Sequence, residues 1–245
     1  MTSPLSQHPI PVIYEDEDML VIHKPPGVGM HQEGDTPGIV TLLAHQQKNA
    51  PYLVHRLDKV TSGLLMLAKH RQSAQRLSQH FARREIDKYY LAITDSRPAK
   101  KQGCVYGDMQ KARGGAWMLT KTRRSPAVTQ FFSCAASAGQ RLILLKPHTG
   151  KTHQLRVMLK SLGSPILGDA LYKGTAADRT YLHAFALRFS SDAKDYQFVL
   201  PPERGSAFLN QACEQAISAY TPPWQLNWPT LPKSATTASV TGNAL

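Results

Sequence analysis

Cysteine is scarce in this 245-residue chain: Cys104, Cys134 and Cys213 are scattered and odd in number. No C-x-x-C pair exists, so neither a disulfide framework nor a structural zinc site is indicated. No apolar run approaches the length of about 18 residues that a membrane span needs. Met1 to Pro11 has neither a basic n-region nor an apolar h-region, so no secretory signal is expected. Acidic residues are few, 17 against 29 Lys and Arg, leaving a net charge of +12. HExxH, GxSxG, a strand-following GxGxxG and the zinc-deaminase pattern are all missing, which argues against the chemistries they carry. Ten histidines are present, but none has the spacing of a metal site. These absences predict a soluble, reduced, cytoplasmic protein without a metal.

What is there is positive charge, and enough apolar residues (42%) for a globular core. The excess points to a polyanionic partner, of which nucleic acid is the commonest. The charge is concentrated. Arg97, Lys100, Lys101, Lys111, Arg113, Lys121, Arg123 and Arg124 lie in one segment whose only acid is Asp108. With Gly103, Gly107, Gly114 and Gly115 among them, the segment reads as a mobile basic loop or ribbon. It suits contact with phosphates without base reading. A solvated charged hairpin fits the same residues.

The pattern of elements predicts a mixed α+β chain. Residues 1–11 read as a flexible lead, 12–221 as one domain, and 222–245, rich in Pro, Ser, Thr and Ala, as a tail that mostly does not fold. Short strands are expected at Val12–Tyr14 and Met19–Ile22, joined by the acidic turn Glu15–Asp18, with Pro25 and Pro26 ending the second. A helix is expected over Thr36–Gln47, capped by Thr36 with Pro37 in its first turn. Ser73–Arg84 carries Ala74, Leu77 and Phe81 on one helical face. Strands are read at 53–57, 64–68, 89–94, 128–134, 142–145, 182–189 and 196–200. Helices are read at 152–162 and at 206–219, the latter capped by Ser206. Strands outnumber helices and often follow one another, so a doubly wound sheet is disfavoured.

Three segments could carry chemistry. In His55-Arg56-Leu57-Asp58-Lys59-Val60-Thr61-Ser62-Gly63, an apolar run ends on an acid and then turns on small and hydroxyl residues. A strand there puts Arg56 and Asp58 on one face, with Asp58 where strand meets loop. The same residues also fit an Asx turn whose carboxylate serves only local amides. Tyr89-Tyr90 lies in a strand, so at most one of the pair lines a given pocket. In Thr149-Gly150-Lys151-Thr152-His153-Gln154-Leu155-Arg156, a P-loop is excluded because Leu145 stands where its first glycine is required. His153, Arg156 and Lys160 then form either an ordinary solvated basic face or a group in which Arg156 grips a carboxylate with two prongs.

An acid at a strand end, a tyrosine strand and a basic helix after Thr-Gly-Lys, in that order, resemble the RluA-type family of pseudouridine synthases. The resemblance runs from about Val12 to Phe189. It rests on Lys24-Pro25-Pro26-Gly27, on the nine residues from His55 to Gly63, and on Thr149 to Val157. Leu162-Gly163-Ser164-Pro165-Ile166-Leu167-Gly168-Asp169 and Leu182-His183-Ala184 add to it. Lys151 stands where the family usually has Arg, and Met158 where it often has His.

The resemblance implies the pseudouridine synthase fold, a mixed and mostly antiparallel central sheet flanked by helices and loops around a catalytic cleft. It implies isomerisation of uridine to pseudouridine in structured rRNA or tRNA by a monomer, with no cofactor or metal. Asp58 matches the family carboxylate that stabilises or traps the sugar. Tyr90 matches the tyrosine packing on the target base, Arg156 the basic partner of the acid, and Leu155 the apolar residue on the other side of the ring. Arg56 is placed with the group that fills the gap left by the flipped uridine, and His55, Lys151, His153 and Gln154 with the RNA-contacting residues. The alternative is a non-catalytic RNA-binding or RNA-folding protein on the same scaffold, which needs only the basic surface.

Overall fold

The computed structural model describes residues 9–47 and 49–232. Among them stand twelve strands and four α-helices in a mixed, mostly antiparallel α+β arrangement. The domain expected over 12–221 holds two compact units. One comprises Met1–Ile86 and Leu187–Leu200, the other Asp87–Ala186 and Pro201–Leu245.

In the first unit β1 (Val12–Glu15) and β2 (Met19–Lys24) pair antiparallel. The turn between them is organised by Asp16, whose Oδ1 accepts the amides of Asp18 (2.9 Å) and Met19 (2.8 Å). Burial works to raise the Asp16 carboxyl. The amides of Met19 and Asp18, the Tyr14 hydroxyl and Lys194 together hold it below its ordinary value. β4 (Ser62–Ala68) pairs with β2 and is buried on both faces; the short β3 (Tyr52–Leu53) pairs with its far end. Strand periodicity puts Met19 and Val21 with Leu64, Met66 and Ala68 in one core, closed by Leu77 of α2 (Arg71–Ala82) and by Leu187 and Phe189.

Two boundaries in this unit differ from the sequence expectation. Helix α1 (Ile39–Gln46) starts after Gly38, not at Thr36, because the Thr36 backbone is already exchanged with Glu33 in a two-bond bridge. Gly38 is required there, since a Cβ would fall 2.3 Å from the His31 backbone. The lead is also tied down at its end. Ile10 is buried and both donates to and accepts from the Gln46 amide (2.9 and 2.8 Å). Residues 1–8 of the expected flexible lead lie outside the described residues.

The second unit is a sheet in the order β11-β5-β10-β9-β6, built from β5 (Asp87–Thr94), β6 (Gln102–Gly107), β9 (Ala127–Ser137), β10 (Gln140–Pro147) and β11 (Leu182–Ser191), whose last residues belong to the first unit. Leu142 to Leu145 of β10 are fully buried, as a continuous apolar run requires when both faces are covered. β7 (Met109–Lys111) and β8 (Trp117–Leu119) form a separate hairpin within the basic segment. α3 (Gln154–Ser161) and α4 (Gln211–Ala219) pack on β9. Asn210 caps α4 through the Cys213 amide (2.9 Å), not Ser206, which lies in a turn closed by Phe208 N–H to Gly205 O (3.0 Å). β12 (Lys194–Val199), back in the first unit, pairs with β11.

The expectation of an unfolded tail from Pro222 is corrected over 222–232. Trp228 packs on Phe132 (4.9 Å between centroids) and on Tyr89 (5.7 Å), and its indole N–H donates to Pro223 O (2.9 Å). Composition suggested disorder because two tryptophans count little in a polar, proline-rich average, yet they supply the apolar area that docks the segment. Residues 233–245 lie outside the described residues. Trp228→Ala is expected to cost about 2 kcal/mol, seen as a lower denaturant midpoint at unchanged slope. A wild-type midpoint would show that the segment adds nothing to stability.

Candidate active site

Asp58 does not end a strand. The ladder stops at Leu53, and Val54 and His55 bend. The strand expected over 53–57 fails because side chains take over its backbone pairing. His55 Nε2 accepts the Met66 amide of β4 (2.9 Å), and the Leu57 amide meets Met30 Sδ (3.4 Å). Arg56 and Asp58 therefore do not share a strand face. His55, expected among the RNA-contacting residues, is half-buried and stacks on Phe81 at 4.4 Å, so its ring serves the scaffold. Arg56 is exposed and Asp58 half-buried.

A turn at 58–61 closes with the Thr61 amide on Asp58 O (3.0 Å), and Thr61 and Ser62 are buried behind it. The next carbonyl, Lys59 O, accepts from the Gly27 amide (2.8 Å) and from Lys24 Nζ (3.3 Å). Lys24 is 0% exposed, and its ammonium also donates to Pro25 O (2.8 Å). A buried cation is tolerated only with such partners. Lys24-Pro25-Pro26-Gly27 is thus a buttress under the Asp58 loop, a role that the sequence reading did not assign. The signal was a lysine closing an apolar strand immediately before a Pro-Pro-Gly turn. The Lys59–Glu33 pair (2.6 Å) is about half exposed on both sides and adds little.

The second unit carries the other two proposed catalytic residues. Tyr90 lies on β5 opposite Leu145. Its neighbour Tyr89 is the core tyrosine, 1% exposed, donating to Asp87 Oδ2 (3.2 Å) with Lys146 over its ring. The pair thus divides between core and half-buried positions, as strand alternation predicts.

Gln154 is buried with every polar atom used. Oε1 accepts from Thr149 Oγ1 (2.7 Å) and the Lys151 amide (3.0 Å), while Nε2 donates to Val128 O (3.1 Å) and Thr129 Oγ1 (2.9 Å). It clamps the Thr149–Lys151 loop to β9, a structural task for a residue placed at first among RNA contacts. Lys151 reaches Ser125 Oγ (3.0 Å) at the base of the basic segment, and Leu155 is 7% exposed.

Arg156 does not lie on a solvated face. It is 5% exposed, and its Nε and Nη2 grip Asp169 Oδ2 (2.7 Å) and Oδ1 (2.8 Å), with Asp169 1% exposed. The two-pronged carboxylate pair is the alternative that holds, because every residue from Gln154 to Met158 on α3 is buried. Lys160 alone of the expected basic face is exposed. The Arg156 guanidinium also lies over the Tyr172 ring at 5.0 Å. Asp169 and Tyr172 escaped the sequence reading of the site. Leu-Gly-Asp was visible as a motif, but nothing in its spacing joins residue 169 to residue 156.

Neither Cys104 nor Cys213 has the character of a reactive nucleophile. Burial pushes the Cys104 thiol up to about 11 and the Cys213 thiol up to about 12, so both stay protonated near neutrality.

The profile described as RNA pseudouridylate synthase matches residues 18–161. An uncharacterized RNA pseudouridine synthase of Haemophilus influenzae is 46% identical over 215 residues, covering 86% of this chain and 96% of that protein. Ribosomal large subunit pseudouridine synthase D of Borreliella burgdorferi is 35% identical over 181 residues, 68% of this chain and 56% of that protein. Human RNA pseudouridylate synthase domain containing 1 matches in fold with a TM-score of 0.72, over 89% of this chain and 97% of that chain, at 23% identity.

The placement of Asp169 depends on Gly168, whose φ is +78° and whose Cβ would sit 1.8 Å from Arg179 O. Gly163 has a similar φ of +71° but open space around it. Gly163→Ala is expected to cost the left-handed penalty of about 1 kcal/mol, and Gly168→Ala about 3 kcal/mol or more. Equal denaturation midpoints for the two variants would refute the close-approach argument.

Proposed function

Because the chain belongs to the RNA pseudouridylate synthase family, and is therefore an isomerase acting on RNA, we propose that Asp58 carries the isomerisation, with Tyr90 and Arg156 as its catalytic partners. The reaction breaks the bond from the sugar C1′ to uracil N1, turns the base, and forms a bond from C1′ to C5, after which the C5 proton is lost and N1 takes up a proton, so that atoms and charge balance. No oxidation or reduction occurs, so no cofactor is called for. A carboxylate suits the first half, since it can stabilise or covalently trap the electron-poor sugar. Tyr90 packs on the uracil and moves a proton; Leu155 covers the other side of the ring. Arg156 is the cationic partner of the reacting acid, with Asp169 holding its fork in one orientation.

The observation that carries this reading is the support under Asp58. Lys24, Gly27, Met30 and His55 all bond the backbone or flanks of one short loop, which is costly unless the acid must be aimed. The uridine must leave its stack, and Arg56, exposed and two residues from Asp58, fills the gap. Lys151, His153 and the exposed cations Lys111, Arg113, Lys121, Arg123 and Arg124 carry phosphates. Arg123 over Tyr106 (4.3 Å) and Lys111 beside Trp117 (6.0 Å) interleave charge with aromatic faces, as single-stranded RNA contacts do. Large-subunit rRNA is the preferred substrate, in line with the relative named for it, and the enzyme works as a monomer in the cytoplasm.

Asp58→Asn is expected to abolish pseudouridine formation in an RNA isomerisation assay while RNA affinity stays within a few-fold; surviving activity removes the assignment, and a non-catalytic RNA-binding protein loses nothing from the change. RNA affinity is also expected to fall with salt by about 0.7 log units per log unit of salt for each phosphate neutralised on single strands. Neutralising Arg113 and Arg123 should flatten that slope by roughly one unit or more. A salt-independent affinity contradicts the role given to the ribbon.

A further inference from the structure

We propose that Tyr172 is a positioning residue that passes the seating of the basic β7–β8 hairpin to the guanidinium of Arg156. The proposal rests on the catalytic reading of Arg156 given above. Tyr172 is 4% exposed and lies in a 3-10 turn that follows Asp169, its amide bonded to Asp169 O (3.1 Å). Its ring and its hydroxyl face different tasks.

The hydroxyl accepts the backbone N–H of Trp117, the first residue of β8, at 3.0 Å. The same hydroxyl shares a hydrogen bond with His153 Nδ1, 2.9 Å away. His153 has a left-handed backbone (φ +57°), uncommon for a residue with a side chain, and its carbonyl accepts the Val157 amide in the first turn of α3. The hydroxyl bond therefore pins the strained residue from which the Arg156 helix departs. The ring meanwhile packs against the Arg156 guanidinium, which Asp169 grips from its own side.

The hairpin has little structure of its own. Its strands have three residues each, its tip runs through Arg113 to Gly115, and a two-stranded ribbon is marginal by itself. Asp108 ties its base through the Arg124 and Ser125 amides (2.9 and 2.8 Å), and the Tyr172 hydroxyl holds β8 at Trp117, nearer the tip. A pull on Lys111 or Arg113 by an RNA phosphate reaches Trp117, Lys111's register partner, then the Tyr172 hydroxyl, and then both His153 and Arg156. A single side chain thus couples occupancy of the RNA-binding ribbon to the orientation of the arginine.

Tyr172→Phe keeps the ring and deletes the hydroxyl. Under single-turnover conditions with saturating enzyme, the rate of pseudouridine formation should fall about tenfold while RNA affinity changes less than twofold. Trp117 amide exchange should accelerate by a similar factor. In a Lys111→Gln, Arg113→Gln background the hairpin is no longer drawn by RNA, so Tyr172→Phe should cost much less rate than in the native background. Fully additive losses, or a wild-type rate in Tyr172→Phe, overturn the proposal. Asp58→Asn separates the two levels of inference. If that variant stays active, the site itself is misassigned; if it is inactive while Tyr172→Phe turns over normally, only the coupling is wrong.

Discussion

The bidentate pair between Arg156 and Asp169 is the interaction around which the second unit is arranged. Both side chains are almost entirely removed from water, where a lone guanidinium or carboxylate would be costly and loss of either partner takes about 3–5 kcal/mol. Such a pair survives only if its geometry is enforced. Enforcement comes from the Gly168 and Gly174 turns, whose backbones pass so close to Arg179 O and Ile166 O that no side chain fits. It comes also from α3, buried along one whole stretch, and from Tyr172 beneath the guanidinium. The cost of desolvation is offset by two short bonds and a stacked ring, and the return is an arginine with one orientation.

The first unit solves a related problem by different means. Asp58 sits in a loop with no ladder of its own, so its position depends on side chains reaching from elsewhere in the unit. Lys24 and Gly27 support the carbonyl after it, Met30 the amide before it, and His55 ties the approach to β4. Each of these groups would be an ordinary core or turn residue in isolation. Their convergence on five consecutive residues is what marks the loop as a presented group. Gln154 plays the same part for the Thr149–Lys151 loop, with four bonds from one buried amide.

Much of the fold was legible in advance because hydrophobic period reports burial directly. The strands around Met19–Ile22, Leu64–Ala68, Tyr89–Thr94 and Leu142–Leu145 all exist, and so does the helix through Leu77. Errors fell at boundaries where a local signal met a competing bond. Thr36 offered a cap but spent its backbone on Glu33; Ser206 lies within the turn closed by Phe208 N–H on Gly205 O, and Asn210 caps α4. The 222–232 segment misled because composition averages conceal two docking tryptophans. At the site, His55 and Gln154 read as polar groups for RNA, yet His55 accepts a strand amide and Gln154 is consumed by backbone and threonine hydroxyl groups within the fold.

By itself, the sequence determined the family, through nine residues around Asp58 and the Thr149–Val157 stretch, since a dense local motif survives without knowledge of distant contacts. It also determined that the partner is anionic, because net charge needs no fold. Only the tertiary structure decided that Arg156 is clasped by Asp169, that Lys24 underlies Asp58, and that Tyr172 joins a basic hairpin to the arginine helix. Those pairings link residues 13, 35 and 55 positions apart. Sequence periodicity carries information over a turn or a strand, whereas the bonds that aim a reactive group are made across folded distance.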